Sequence, residues 1–255
     1  MVKQEFREYR FDDYISMTTG YDWIEPKQCE VSKINDMLNC VFPDSAEKNL
    51  FLEILATGLE ARCLEKFIIM NGSGRNSKGL INDLYLRALG EYGMVANNAI
   101  LFEKNKTGSN PEKNNLHKKR YVVFREPSKN NKFENSVVKE LTGGGEFSAR
   151  GHHENKTAKK LFLTTVVECN DKPLFAEEPK RAELDRLINI LFGSTFTDDP
   201  SEVDVSKRIY PANKEYKTIE FQEQYKRSLL RIVMDAHKNY SKRDYCFDIP
   251  KRFKW

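Results

Sequence analysis

No apolar run in the 255-residue sequence approaches the roughly 20 residues that cross a bilayer, so a membrane-spanning helix is not expected. The start, MVKQEFREYRFDDY, lacks the apolar stretch and small-residue cleavage site of a secretory leader, and an intracellular location is expected. The cysteines (Cys29, Cys40, Cys63, Cys169, Cys246) are odd in number and show no C-x-x-C spacing, which favours reduced thiols over a disulfide framework or a zinc site. Strong charge of either sign is missing too. A net +4 is compatible with a polyanionic partner without demanding one, and only the clusters at 113–120 and 156–160 concentrate it. There is no internal repeat and no low-complexity tract. At this length one sizeable α/β domain is expected.

What is present reads as alternating strands and helices. Residues 1–28 are polar and aromatic with weak periodicity, a lead-in or linker from something larger. Asp44, with Glu47 three positions on, has the spacing of a capping box, and Leu50, Phe51, Ile54, Leu55 and Leu59 recur at helical spacing, predicting a helix that ends near Arg62. Phe67 to Met70 reads as a buried strand. After a glycine loop, Leu80, Ile81, Leu84, Leu86 and Leu89 predict a helix stopped by Gly90. Further strands are expected at Ala99-Ile100-Leu101-Phe102, Tyr121-Val122-Val123-Phe124 and from Leu161 to Val167. A last helix is carried by Phe221, Tyr225, Leu229, Ile232, Val233 and Ala236. Continuous apolar strands imply a mainly parallel sheet covered by helices on both faces.

The loop reads Gly72-Ser73-Gly74-Arg75-Asn76-Ser77-Lys78-Gly79. Between a buried strand and a helix, such a segment can aim consecutive backbone N–H groups at an anion, and the helix N-terminus adds about half a positive charge. Gly72 and Gly74 allow close approach, and Lys78 is placed to reach the β- and γ-phosphates. The spelling departs from G-x-x-x-x-G-K-[ST] at Ser77 and Gly79. Ser77 matters if that position needs a positive φ. Gly79 removes the hydroxyl that ordinarily meets Mg²⁺.

Two more polar residues close buried runs. Glu126, in RYVVFREPSK, would stand at the C-terminal sheet edge, where it could orient and deprotonate a water. Asn170, in LTTVVECNDKPLF, would stand at the corresponding edge, able to hold phosphate and water. Between them, KELTGGGEFSARGHHENKTAKK is a poor core and a poor metal site, because adjacent His152 and His153 cannot easily face one ion. A protruding hairpin with a basic, hydrogen-bonding tip fits it, a form suited to a single-stranded phosphodiester backbone.

In this order the segments resemble the superfamily 3 helicase domain of the poxvirus and giant-virus primase-helicases, from about Tyr21 to Tyr240. GYDWIEP is similar to that family's linker before the helicase domain and FPDSAEKNLFLEILATGLEAR to its helix pair before the loop. KRYVVFREP is similar to its acidic motif, KELTGGGEFSARGHHE to its pre-sensor hairpin motif, VVECNDKP to its sensor asparagine, and RAELDRLINILFGSTFTDDP to its arginine-bearing segment.

The resemblance implies an AAA+-like P-loop ATPase with a central, mainly parallel sheet flanked by helices. It would comprise a small N-terminal helical segment (29–65), a core (66–200) and a C-terminal helical part (201–255). It implies ATP and Mg²⁺ held by residues 72–79, with Lys78 on phosphate, Glu126 activating water and meeting Mg²⁺ through water, and Asn170 sensing the γ-phosphate. Arg186, six residues before Phe192, would reach a neighbouring subunit's ATP, with Arg181 as a second candidate. Lys139, His152, His153 and Lys156 would face single-stranded DNA inside a homo-oligomeric, hexameric ring, joined to an upstream primase region and working in the host cytoplasm or viral factory. Departures from the family are Arg125, where many relatives have a second acid, and Gly145, where Asp is frequent beside the position of Glu146. These leave open a non-hydrolysing, nucleic-acid-binding ring module.

Overall fold

The computed structural model describes residues 7–13, 15–102, 111–144, 146–149 and 157–255. Two helices lead, α1 (Gln28–Val41) and α2 (Ser45–Thr57). Asp44 starts α2 by accepting the N–H groups of Ala46 and Glu47 at 2.9 and 3.0 Å, two of the donors that a helix leaves unpaired at its first turn. The reciprocal half of a capping box is not made. The buried Glu47 carboxylate turns instead to Arg252 at 2.6 Å and Arg208 at 3.8 Å, tying α2 to the C-terminal part of the chain. The helix ends at Thr57 and not near Arg62, because the chain turns at Gly58, where a Cβ would stand 2.8 Å from the Tyr85 hydroxyl.

Strand and helix then alternate: β1 (Phe67–Asn71), α3 (Lys78–Leu89), β2 (Gly93–Ala96), the short α4 (Ala99–Phe102) and α5 (Pro111–Asn114), β3 (Tyr121–Arg125) and α6 (Asn135–Thr142). An antiparallel hairpin follows, β4 (Glu146–Ala149) and β5 (Thr157–Lys160), then β6 (Thr164–Cys169), α7 (Arg181–Leu184) and β7 (Leu187–Leu191). A small parallel pair, β8 (Thr195–Thr197) and β9 (Ile209–Pro211), leads to the long α8 (Ile219–Lys242). Thr218 caps α8 by accepting the N–H of Phe221 at 3.1 Å.

The run Ala99 to Phe102 is helical, where a strand was expected. Four apolar residues are too few for periodicity to separate the two states, and the Asn97 side chain takes the Ala99 N–H at 3.0 Å, starting a turn. The strand in that part of the chain is β2, whose mixed composition gives little signal. The third expected strand begins at Thr164; Leu161 and Leu163 are buried just ahead of it. An unexpected strand, β7, lies within the arginine-bearing segment.

The five-stranded sheet has the order β2-β3-β6-β1-β7, with every pairing parallel. Alternate residues face opposite layers, as the two-residue period of a strand requires. Ile68, Met70, Val123, Val166, Ile188 and Ile190 pack with α1, α2, α3 and α8. Phe67, Ile69, Val122, Phe124 and Val167 pack with α4, α6 and Phe133. The C-terminus closes the second layer, with Trp255 edge-on to Phe175 at 5.8 Å. In the first layer Phe51 is fully buried, its ring 4.8 Å from Phe42 and 5.6 Å from Phe192.

Phe192 gives its N–H to Asn71 O at 2.8 Å, so this aromatic cluster supports the backbone just before the glycine loop. Truncating Phe51 to Ala is expected to lower the unfolding free energy by about 3–5 kcal/mol, read as a fall in the denaturant midpoint at unchanged slope.

Candidate functional site

Three neighbouring strands of the sheet, β3, β6 and β1, end at one edge, and the residue or loop after each converges there. The loop after β1 owes its shape to its small residues. A Cβ at Gly72 would lie 2.6 Å from Phe192 O and 2.4 Å from Asn76 Nδ2, so only glycine fits, and Gly74 takes a φ of +92°. Arg75 and Ser77 are also left-handed, at φ 49° and 64°. The sequence condition on Ser77 is therefore met: the position does need positive φ, and serine occupies it at a cost of about 1–2 kcal/mol relative to a right-handed conformation. Among the described residues the N–H groups of Asn76, Ser77 and Gly79 find no acceptor, and the Asn76 Nδ2 is buried without a partner. Ser73 and Arg75 are exposed along the loop. Such a cradle of free donors at a helix start fits a polyphosphate.

Lys78, the first residue of α3, is buried, and its ammonium points back under the loop. It donates to Cys169 O at 2.6 Å, Gly72 O at 3.2 Å and Asn170 Oδ1 at 3.4 Å. Burial lowers its pKa, while the nearby Glu168 and Glu126 carboxylates favour the charged form. Lys78, Glu126 and Asn170 border one cavity of about 680 Å³, whose far wall includes Phe196 and Tyr216. Glu126 is itself left-handed at φ 42°, its N–H bonded to Glu168 O at 2.8 Å, so the carboxylate leaves the strand end in a sparsely populated conformation of the kind found at working sites.

Arg186 lies elsewhere. It immediately precedes β7 at the opposite edge of the sheet, its carbonyl accepting the Phe67 N–H at 2.7 Å and its guanidinium donating to Thr142 Oγ1 at 2.8 Å. It cannot serve the cavity of its own chain. Arg181 is exposed on α7. Lys139 is paired with Glu183 at 2.8 Å, a contact that with Asn135 holds the Glu183 carboxyl down at about 2, and it is thereby engaged within α6 and α7. His152, His153, Lys156 and Gly145 lie outside the described residues, and of Glu146 only the backbone is described. Arg125 pairs with Asp83 of α3, so it neutralises an acid of the cavity wall.

Sequence reasoning missed Glu168, the buried carboxylate beneath Gly79. Its signal was present as a lone acid inside the apolar run VVECN. It also missed Phe196 and Tyr216, which reach the cavity from distant segments that no local pattern connects. Among the described residues no group of three or more His, Cys, Asp or Glu forms a metal cage, and no helix is long and apolar enough to cross a membrane.

Parallel strands in this order, with a glycine-lysine loop between β1 and α3, define an α/β protein of P-loop type. The same fold occurs in the apo C-terminal region of NrS-1, which matches 84% of this chain and 47% of that one with a TM-score of 0.56 at 17% identity. A second structure of that region covers 88% and 53%, also at 0.56. No family model matches the chain.

Its curated homologues come from large DNA viruses. One is a "Putative helicase" of Acanthamoeba polyphaga mimivirus, 28% identical over 173 residues, 66% of this chain and 18% of that protein. Another is a "Putative helicase" of frog virus 3 (isolate Goorha), 26% identical over 215 residues, 77% of this chain and 22% of that protein. The chain thus spans about a fifth of the length of these relatives.

The left-handed loop can be checked at Ser77. Ser77→Gly is expected to stabilise slightly, since relief of about 1–2 kcal/mol exceeds the roughly 0.4–1 kcal/mol lost by loosening the unfolded chain. Ser77→Val should destabilise by about 1 kcal/mol or more. Equal denaturation midpoints for the two variants would contradict the loop conformation.

Proposed function

We propose that this chain is the ATP-driven motor of a DNA helicase acting in viral genome replication. It would work as a hexameric ring of identical chains on single-stranded DNA beside an upstream primase region. The observation that carries the reading is the meeting of Lys78, Asn170 and Glu126 around one cavity at the edge of β1, β6 and β3. The curated homologues' names support the helicase part of it.

The loop N–H groups and the α3 N-terminus would receive the triphosphate. Lys78 would exchange its carbonyl contacts for phosphate oxygens, so a buried charge already in place meets the ligand without a rearrangement of the loop. Asn170, whose Oδ1 is 3.4 Å from the lysine, would hold the γ-phosphate and the attacking water by its amide. Glu126, exposed to the cavity, would align that water and take its proton as the oxygen attacks phosphorus, the leaving diphosphate keeping the bond electrons. Mg²⁺ bound with the triphosphate would spread the charge developing on the phosphate oxygens, and the carboxylates on this wall suit a cation that needs only one or two protein ligands.

Arg186, at the far edge of the sheet, would reach an adjoining subunit's site. Hydrolysis at such a boundary would couple to the β4–β5 hairpin, with His152, His153 and Lys156 proposed as its DNA contacts. The missing hydroxyl at Gly79 favours a second reading, a ring module that binds nucleotide and nucleic acid without hydrolysis.

Phosphate release in the presence of Mg²⁺ and single-stranded DNA separates the two. The motor predicts turnover that rises steeply with protein concentration, is abolished in Lys78→Ala and falls on the order of 10³-fold in Arg186→Ala. Mixing the two inactive variants should restore part of the rate, because one chain supplies the arginine and the other the site. Nucleotide binding without any release at ring-forming concentrations would favour the binding module.

A further inference from the structure

Glu168 is a buried acid that the reaction scheme above leaves unused. Nine-tenths and more of its surface is covered, with 4% exposed, and it lies on β6 one residue before Cys169. Nothing about stability asks for a carboxylate here, since burying one costs free energy that an apolar or amide side chain would not. Yet the carboxylate is held by a purpose-built set of partners. Asn82 of α3 donates to Glu168 Oε1 at 2.6 Å, and the Oδ1 of the same amide accepts the hydroxyl of fully buried Tyr121 at 2.8 Å.

This chain of hydrogen bonds fixes the rotation of the carboxylate and leaves Oε2 directed toward the loop. A Cβ built on Gly79 would stand 3.8 Å from Oε2, and apart from its chain neighbours and the α3 backbone no other described heavy atom lies within 4 Å of it. Glu168 and Gly79 line the same cavity as Lys78 and Asn170. Burial raises the Glu168 pKa, an effect opposed by the Asn82 hydrogen bond and by the charges of Arg125 and Lys78.

We propose that Glu168 Oε2 is the protein ligand, through a water, for the Mg²⁺ that accompanies a bound nucleoside triphosphate, in the place left open by the missing side chain at Gly79. The inference rests on the nucleotide-site reading above. Mg²⁺ keeps most of its waters and is typically bound by one or two carboxylates plus substrate phosphates, so one oriented acid suffices without a cage. Gly79 is then more than a lost hydroxyl. Its missing side chain opens the passage between the carboxylate and the phosphate side of the loop. The role is that of a ligand acting at ground state, distinct from the water-activating role of Glu126.

The test is ATP affinity of the full chain, measured by calorimetry in Mg²⁺ and again in EDTA, alongside the melting temperature of the nucleotide-free protein. Wild type should bind ATP at least tenfold more tightly with Mg²⁺. Glu168→Gln should keep the EDTA affinity, lose the Mg²⁺ gain, and melt no lower than wild type, because a neutral amide can still meet Asn82. Adding Gly79→Ser to Glu168→Gln should restore part of the gain.

A full Mg²⁺ gain in Glu168→Gln, or no gain in wild type, overturns the proposal while leaving the nucleotide site intact. Absence of ATP binding by wild type even in EDTA, or binding unaffected by Lys78→Ala, overturns the nucleotide site itself.

Discussion

A lysine ammonium buried between two strand ends organises the C-terminal edge of the sheet. Cys169 O, Gly72 O and Asn170 Oδ1 replace the water that the charged Lys78 gives up, and the nearby Glu168 and Glu126 carboxylates favour the charge as well. Two of those acceptors sit at the end of β6 and one in the loop after β1, so the β1–β6 pairing, in register from Phe67 with Thr165 to Asn71 with Cys169, is what makes the site possible. A buried cation without such partners would cost several kcal/mol or lose its proton. Carbonyl and amide oxygens are weaker partners for an ammonium than an anion is, so the phosphate proposed for this site would replace them readily.

The same edge concentrates conformations and charges that weaken a fold. Arg75, Ser77 and Glu126 are left-handed without being glycine, and Glu168 is an acid under cover. These sites share one cavity wall, whereas the apolar residues of the sheet divide between two layers. Strain held by well-packed surroundings is the usual sign of a surface shaped for a ligand. The packing that bears it is identifiable. The Phe42, Phe51 and Phe192 cluster underlies the loop, and Glu47 with Arg208 and Arg252 fastens α2 to the residue before β9 and to the end of the chain.

Comparison with NrS-1 fits this division of labour. At 17% identity the sheet and its flanking helices persist, which is expected where apolar volume and pattern are enough to specify a core. The viral homologues are more alike in sequence but much longer, so the chain corresponds to one part of those proteins. A separation of roles also follows from the sheet itself. Lys78, Glu126 and Asn170 occupy the C-terminal edge, and Arg186 the N-terminal edge, a full strand length away. Parallel strands force this, because all of their C-terminal ends lie on one side.

The sequence alone determined the strand-loop-helix around Lys78, the parallel sheet, the α8 helix and the three residues that converge, because apolar runs and glycine spacing are local signals with a direct backbone meaning. It could not place Ala99 to Phe102, where four residues underdetermine the period, or find β7, whose Asn189 interrupts an apolar run and whose neighbours in sequence suggested another role. The condition that Ser77 must be left-handed was readable; whether it held was not. Only the tertiary structure decided that Glu168 faces Gly79, that Arg125 is occupied by Asp83, that Arg186 is on the far edge, and that Phe196 and Tyr216 close the cavity. Each depends on strand order and on which segments cross above the sheet, and those follow from the packing of residues far apart in the sequence, which no local pattern encodes.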